Sequence, residues 1–354
     1  MNKKHFWLMW CVVLAVLLLG ISIVSAENVS VVDILEREVT VDAPPALGVV
    51  AGKKTATISE APYLFINATG HMAATIGGQD KGKFQSLLAD RFEAIEDSSV
   101  EAIAALKPSV IFLKSYTRED AGLAYEETGI PVVYLSFESI EDYHKEIPML
   151  GKIFNEEERA AEIIAYYDEI VNTVTEKTKD LSEKPKVLLL QYSESDGAYV
   201  LKVSPEGWLQ TELVSMAGGD PVWLDIGLNP NSWSDVNFEQ IAAWDPDVIL
   251  VVNYFADPKA SVQKLVSEPG WSDLRAVKDE QIYPFGKDTL SWDSASPRWG
   301  LGLLWAFKTI HPELAEDIDI EQEIVKFYQW FGLSEDVIRE NLVNAYLAEP
   351  EMVN

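Results

Sequence analysis

The sequence predicts an α/β protein made of two Rossmann-like lobes with mainly parallel sheets, joined by one long helix. Three observations carry that reading. First, the stretch E-A-I-A-A-L-K-P-S-V-I at 101–111 returns as E-Q-I-A-A-W-D-P-D-V-I at 239–249, with seven of eleven positions identical at an offset of 138 residues. Second, each copy leads into an uninterrupted run of apolar, mostly β-branched residues, and similar runs recur along the chain. Runs that do not alternate with polar residues are strands buried on both faces of a parallel sheet. Third, the segment 155–181 between the copies carries apolar residues at helical spacing over a length that no single lobe needs.

The N-terminus comes first. Lys3 and Lys4 precede an apolar run over 6–24 and then Val24-Ser25-Ala26. This is the order of a secretory signal, with cleavage after Ala26; an uncleaved membrane anchor is the alternative reading of so long a run. Either places residue 27 onward outside the cytoplasm, in a periplasm or at a cell surface. The only cysteine, Cys11, lies inside this run. The rest of the chain therefore offers no disulfide, thiolate metal site or cysteine nucleophile. The formal charge of −29 argues against nucleic acid and anionic lipid as partners, because both would be repelled.

In each copy of the repeat, a short amphipathic helix (100–106 and 238–244) stops before Pro108 or Pro246, since proline disfavours helical geometry in the residue before it. Strands follow at 110–113 and 248–252, and others are expected at 131–135, 187–190 and 281–285. In 155–181 the apolar face is Ile163, Ile164, Tyr167, Ile170, Val171 and Val174. Asn155 suits an N-cap, and Glu156 to Glu158 suit the positive end of the helix dipole. Such a helix spans roughly 40 Å. Ser182-Glu183-Lys184-Pro185 then breaks the pattern. A single repeat at so long an offset means two lobes and not a solenoid. The expected organisation is a signal or anchor at 1–26, an N-terminal lobe at 27–153, a linking helix at 154–183, a C-terminal lobe at 184–312, and helices at 313–354 packing on the lobes.

A search for catalytic chemistry finds little. The sequence has no G-x-S-x-G elbow, P-loop, G-x-G-x-x-G, H-E-x-x-H or Cys/His cluster. His71 could ligate a metal, but a lone histidine beside a glycine reads first as a helix-end residue. Aromatic placement says more. Nine of the eleven tryptophans fall from residue 208 onward. Trp299 and Trp305 lie on a helix at 297–310 and read as core, and Trp244, on the repeated helix, reads as core or surface packing. Trp208, Trp233 and Trp292 lie in loops rich in small and polar residues. Tyr192 and Asn253-Tyr254 follow buried strands, and open parallel sheets bind ligands outside the carboxyl ends of their strands. The matching first-lobe positions are Ser59, Glu60, Gln79, Lys114 and Tyr116. An aromatic wall facing smaller polar groups suits a bulky, partly planar or chelated ligand, with ordinary packing as the alternative for each aromatic.

These residues resemble a known family. V-V-D-I-L-E-R-E-V-T-V-D-A-P-P (31–45) resembles the opening hairpin of the substrate-binding proteins of iron-siderophore and cobalamin ABC importers. The repeated E-x-I-A-A-x-x-P-x-V-I is similar to that family's helix–strand unit in both lobes, and S-W-D-S-A-S-P-R-W (291–299) to the stretch leading into its last lobe helix. The resemblance spans nearly the whole chain beyond the signal. It implies a class III periplasmic-binding-protein fold with a rigid linking helix. It also implies a monomeric receptor without cofactor or catalytic step, which delivers a ligand to an ABC permease dimer and its ATPase subunits. Glu101 and Glu239, at the start of the repeated helix in each lobe, would dock onto permease arginines; favouring the first helical turn is their structural alternative. The expected ligand is a metal chelate, foremost a ferric siderophore, with cobalamin, haem, or an oxyanion such as molybdate or tungstate as alternatives. Trp208, Trp233, Trp292, Tyr192 and Tyr254 would wall the cleft, and Lys114 and Arg298 would offset an anionic ligand. Arg298 could instead be structural, since it follows Pro297 in a first helical turn. Ser59-Glu60-Ala61-Pro62-Tyr63 departs from the family's usual Ser-Pro start after the first strand. A chelatase or nitrogenase-like metal-cluster scaffold is the alternative of a different class.

Overall fold

The computed structural model describes residues 27–52, 55–68, 72–75, 83–88, 93–195, 198–230 and 232–348. The signal or anchor at 1–26, His71 and Gln79 lie outside the described residues. The chain opens with an antiparallel hairpin of β1 (Glu27–Val32) and β2 (Glu38–Ala43). Its turn is held by Asp33, whose carboxylate accepts from the backbone of Leu35 and Arg37 at 3.0 and 3.1 Å.

The first lobe is a parallel sheet of β3 (Gly48–Val50), β4 (Met72–Thr75), β5 (Glu93–Ile95), β6 (Val110–Lys114) and β7 (Val132–Leu135), in the order β5-β4-β3-β6-β7. Between the strands run α1 (Lys83–Leu87) and α2 (Val100–Ala105). Every residue of β6 is buried. Ile111 and Leu113 pack on one face of the sheet and Val110 and Phe112 on the other. That two-sided burial is why the run does not alternate. The order reverses between β3 and β6, and ligands lie outside the carboxyl ends of strands at such a switch point.

Two helices follow, α3 (Ile140–Phe154) and α4 (Glu157–Thr178). Asn155 does not cap α4 as expected. It adopts the left-handed conformation, φ 56°, and closes α3, its N–H reaching the carbonyls of Gly151 and Lys152. Asparagine tolerates that conformation better than most side chains. A side chain on Gly151 would strike Ala160, so the glycine lets the two helices pack closely.

The second lobe contains β8 (Lys186–Ser195), β9 (Ala198–Val203), α5 (Leu209–Met216), β10 (Asp220–Pro221), β11 (Ser234–Val236), α6 (Phe238–Trp244), β12 (Val248–Val252), α7 (Pro258–Ser267) and β13 (Ile282–Pro284). β8, β12 and β13 are parallel, and β10 adds to β8 in the same sense. β9 and β11 extend the other edge antiparallel, because β8 continues past the expected strand 187–190 and turns back on itself. The repeated helix α6 occupies the expected residues, with an Asn237–Gln240 capping box.

The chain closes with α8 (Trp299–Ile310), α9 (Ile320–Gln329) and α10 (Asn344–Leu347). The lobes share one core through α4. Tyr167 of α4 stacks on Trp299 of α8 with ring centroids 4.7 Å apart, and Tyr143 of α3 leans on both at 5.7 and 5.6 Å. The Tyr167 hydroxyl donates to the Pro297 carbonyl at 2.7 Å. Trp299 and Trp305 are buried as expected, and of the two readings of Trp244 the structure favours core. No helix among the described residues is long and apolar enough to cross a membrane.

Candidate functional site

The lobes meet where the loop after β7 touches the start of α5. The Leu209 N–H donates to the Glu138 carbonyl at 3.0 Å, and the Ile140 N–H to the Glu212 carboxylate at 3.2 Å. Beside this contact, three aromatics of the second lobe form a chain. Trp208 and Trp233 are edge-to-face at 6.4 Å, and Trp233 and Tyr254 edge-to-face at 5.9 Å. All three are half-buried, so each keeps ring surface open. Trp208 comes from the turn that begins α5, Trp233 from the loop before β11, and Tyr254 from the carboxyl end of β12.

On the first-lobe side, Tyr116 is 50% exposed and lies over the Lys114 ammonium at 5.6 Å. Glu138 ties the sides together. It pairs with Lys114 at 2.8 Å, and its charge helps hold the hydroxyls of both Tyr116 and Tyr254 above the ordinary tyrosine range, burial being the larger cause for each. Glu146 of α3 braces the same loop by accepting from the N–H groups of Ser136 and Phe137 at 2.5 and 2.6 Å.

Several expected site residues lie elsewhere. Tyr192 is buried within β8 and not beyond its end; it stacks on Tyr199 at 5.9 Å and donates to Glu194 at 2.9 Å. Trp292 is fully buried, stacked on Tyr346 at 5.0 Å, with its N–H on Asp288 at 2.8 Å. Side chains on Gly286 or Gly302 would collide with it, so the two glycines make its slot. Ser59 and Glu60 are buried, and Glu60 pairs with Arg298. Arg298 is 0% exposed and also donates to Asp288 at 3.1 Å, to the Tyr328 hydroxyl at 2.6 Å and to Thr289 at 3.2 Å. Both cations expected to meet a ligand, Lys114 and Arg298, are thus neutralised internally. The reason is physical: a buried cation is tolerated only beside anions.

The aromatic chain rests on a titratable base. The Tyr254 hydroxyl donates to Asp293, which is fully buried and also accepts from Ser291. Burial pushes the Asp293 carboxyl up to about 6, while the Ser291 and Tyr254 hydroxyls pull it back. A carboxyl that binds its proton more tightly folded than unfolded stabilises fully below its unfolded pKa and loses that contribution as pH rises through the folded value. Replacing Asp293 by Asn should therefore shift relative stability toward the variant by about 2–3 kcal/mol between about pH 4 and 7. Denaturant unfolding of both proteins across that range measures the shift. A stability gap that stays constant with pH would show that Asp293 is ionised throughout.

A cavity of about 760 Å³ continues from Tyr254 along the carboxyl ends of β12 and β13, bounded by α1 of the first lobe and by α10. Phe255, on its wall, is 80% exposed. Phe255 and Glu138 were not singled out in the sequence, although each directly adjoins the carboxyl-end segment of a strand. Among the described residues no group of three or more His, Cys, Asp or Glu is placed to hold a bare metal ion. His144 is engaged with Asp168 at 2.8 Å and His311 with the Gly218 carbonyl at 3.2 Å, both away from the aromatic chain.

Comparison with known proteins adds to this geometry. The family model described as periplasmic binding protein matches residues 76–289, more than half of the chain. The molybdate-binding protein MolA of Haemophilus influenzae is 22% identical over 90% of this chain and 95% of its own length. The high-affinity heme uptake system protein IsdE of Staphylococcus aureus is 26% identical over 54% of this chain and 65% of its own. A periplasmic solute binding protein from Veillonella parvula superposes with a TM-score of 0.70 at 24% identity, covering 90% of this chain and 98% of that one.

Proposed function

The chain belongs to the periplasmic binding protein family and is a non-enzymatic substrate-binding component of an ABC importer; from that premise we propose that it holds a bulky metal chelate, foremost a ferric siderophore, between its lobes. The observation that carries this reading is the open aromatic chain Trp208–Trp233–Tyr254, continuous through Tyr254 with a cavity of about 760 Å³. Half-exposed aromatic faces beside a concave space of that size suit a ligand with its own flat or apolar surface. A bare oxyanion needs neither. The protein acts outside the cytoplasm as a monomer, exported by residues 1–26, and hands its ligand to the permease dimer and ATPase subunits through Glu101 and Glu239.

Titration with a ferric tris-hydroxamate, a ferric tris-catecholate, haem, cobalamin and molybdate, followed by tryptophan fluorescence, tests the reading. At least one chelate should bind, and Trp233→Ala should weaken it roughly thirtyfold, the equivalent of about 2 kcal/mol of lost aromatic contact. The likeness to MolA along nearly its whole length supports a second reading, an oxyanion receptor. In that case molybdate alone binds, and Trp233→Ala leaves its affinity unchanged. That result would retire the chelate.

A further inference from the structure

We infer that Asp293 is a positioning residue for ligand binding: buried beneath the aromatic chain, it holds Tyr254 and Gln210, and through them sets both ends of that chain. This deepens the preceding reading and rests on it. Asp293 is fully buried, so it acts through its neighbours and not by contact with a ligand. Its carboxylate accepts from the Tyr254 and Ser291 hydroxyls. Gln210, also buried, lies against the same pair. Burial pushes both the Asp293 carboxyl and the Tyr254 hydroxyl up, and hydrogen bonding to the Gln210 amide draws both back. Gln210 stands in the first turn of α5, the helix that Trp208 opens. One carboxylate therefore serves the Tyr254 end and the Trp208 end of the chain, with Trp233 packed between them.

The segment that carries Asp293 is fixed from several sides. Trp292 fills the slot between Gly286 and Gly302, and its backbone N–H donates to the Gly286 carbonyl at 3.0 Å. The Ser294 N–H donates to the Ser291 carbonyl at 3.2 Å, and every residue over 291–300 is buried. Tyr254 is held differently. It opens a loop whose next residue, Phe255, is strongly exposed. The Asn253 side chain accepts from the N–H groups of Phe255 and Ala256 at 3.0 Å each, which fixes the backbone there. The direction of the Tyr254 ring is set by its hydroxyl on Asp293. A ring held in place before the ligand arrives gives up less rotamer freedom on binding, so the anchor adds affinity at a distance. The side-chain oxygen of Gln210 is buried without a hydrogen-bond partner among the described residues. Asparagine at 293 would offer Tyr254 an oxygen and the Gln210 oxygen a donor, whereas alanine would cut both ties.

The test measures, on the full-length protein, affinity for a ferric tris-hydroxamate, a ferric tris-catecholate, haem and cobalamin, and near-ultraviolet circular dichroism without any of them. Asp293→Ala should weaken the chelate that binds roughly three- to tenfold, and Asp293→Asn should restore it to within about twofold of wild type. Tyr254→Phe, which keeps the ring and loses the hydroxyl, should weaken it by a similar factor. The double variant Asp293→Ala/Tyr254→Phe should then lose no more than about twofold beyond the weaker of the two single variants. Asp293→Ala should also change the dichroism of the free protein, a change that is absent in the Trp233→Phe background. Gln210→Leu, which spares the carboxylate, should weaken binding as well, and carries the comparison with Tyr254→Phe should Asp293→Ala not fold. Losses that simply multiply, or dichroism that Asp293→Ala leaves unmoved, overturn the positioning role and leave the chelate reading standing. A wild type that binds none of the chelates overturns both.

Discussion

Reversing the charge at Glu101 and Glu239 together should abolish uptake while leaving ligand affinity unchanged. Each carboxylate is exposed, sits in the first turn of its helix, and makes no ion pair among the described residues. Each helix runs back toward the strand that follows it, so its first turn lies on the carboxyl-end side of its sheet, where the cleft opens. Removing these charges costs the protein only a favourable helix-dipole contact, about 0.3–1 kcal/mol each. The helix caps, Ser99 to Ala102 at 3.3 Å and Asn237 to Gln240 at 2.9 Å, are untouched. Folding therefore survives. At an interface, replacing a paired charge by its opposite costs 2–5 kcal/mol or more per site, and two sites together exceed what a transient docking contact can lose. The measurement is uptake by cells carrying Glu101→Lys/Glu239→Lys, beside ligand titration of the purified variant. Normal uptake would reduce the duplicated motif to architecture.

Replacing Arg298 by Ala should cost about 3–5 kcal/mol of folding stability, because Glu60 and Asp288 would remain buried without their cation. The guanidinium joins four separate segments: the loop after β3 through Glu60, α1 through the Phe84 ring at 4.9 Å, the loop after β13 through Asp288 and Thr289, and α9 through Tyr328. Burial alone would lower its pKa, but Glu60, Tyr328 and Asp288 raise it well above the ordinary value, so it stays charged. The partner variant Glu60→Gln should lose less. In the double variant Glu60→Gln/Arg298→Met, an apolar stem against a neutral amide should recover part of the loss, giving a coupling of at least about 2 kcal/mol in denaturant unfolding. Strictly additive losses would mean that Glu60 and Arg298 do not act on one another.

The parts legible in the sequence are those set by local chemistry. The helices α2 and α6 fall where Ser99, Asn237, Pro108 and Pro246 place their ends, since caps and proline act within a turn. β6 and β12 are the two unalternating runs after the repeat, and both are buried throughout. Trp208, Trp233 and Tyr254 are half-buried, in keeping with their setting in polar loops or at a strand end. Tyr192 misled because β8 runs on to Ser195, and nothing near residue 190 signals how far a strand will pair. Trp292 misled because its loop composition is that of a surface, while the surface it would occupy is covered by Tyr346, 54 residues later.

The sequence by itself determined the two α/β lobes, the linking helix, the duplicated helix–strand unit and the family, because periodicity, caps and motif spacing act over a few residues at a time. Only the tertiary structure decided which charges are free. Arg298 finds Glu60 across 238 positions, and Lys114 finds the β7 loop across 22. Both are spent on the fold and so are structural, not ligand-facing, charges. Whether a buried charge is structural or available depends on what the rest of the chain brings within about 4 Å of it, because pairing energy in a desolvated site falls steeply with distance.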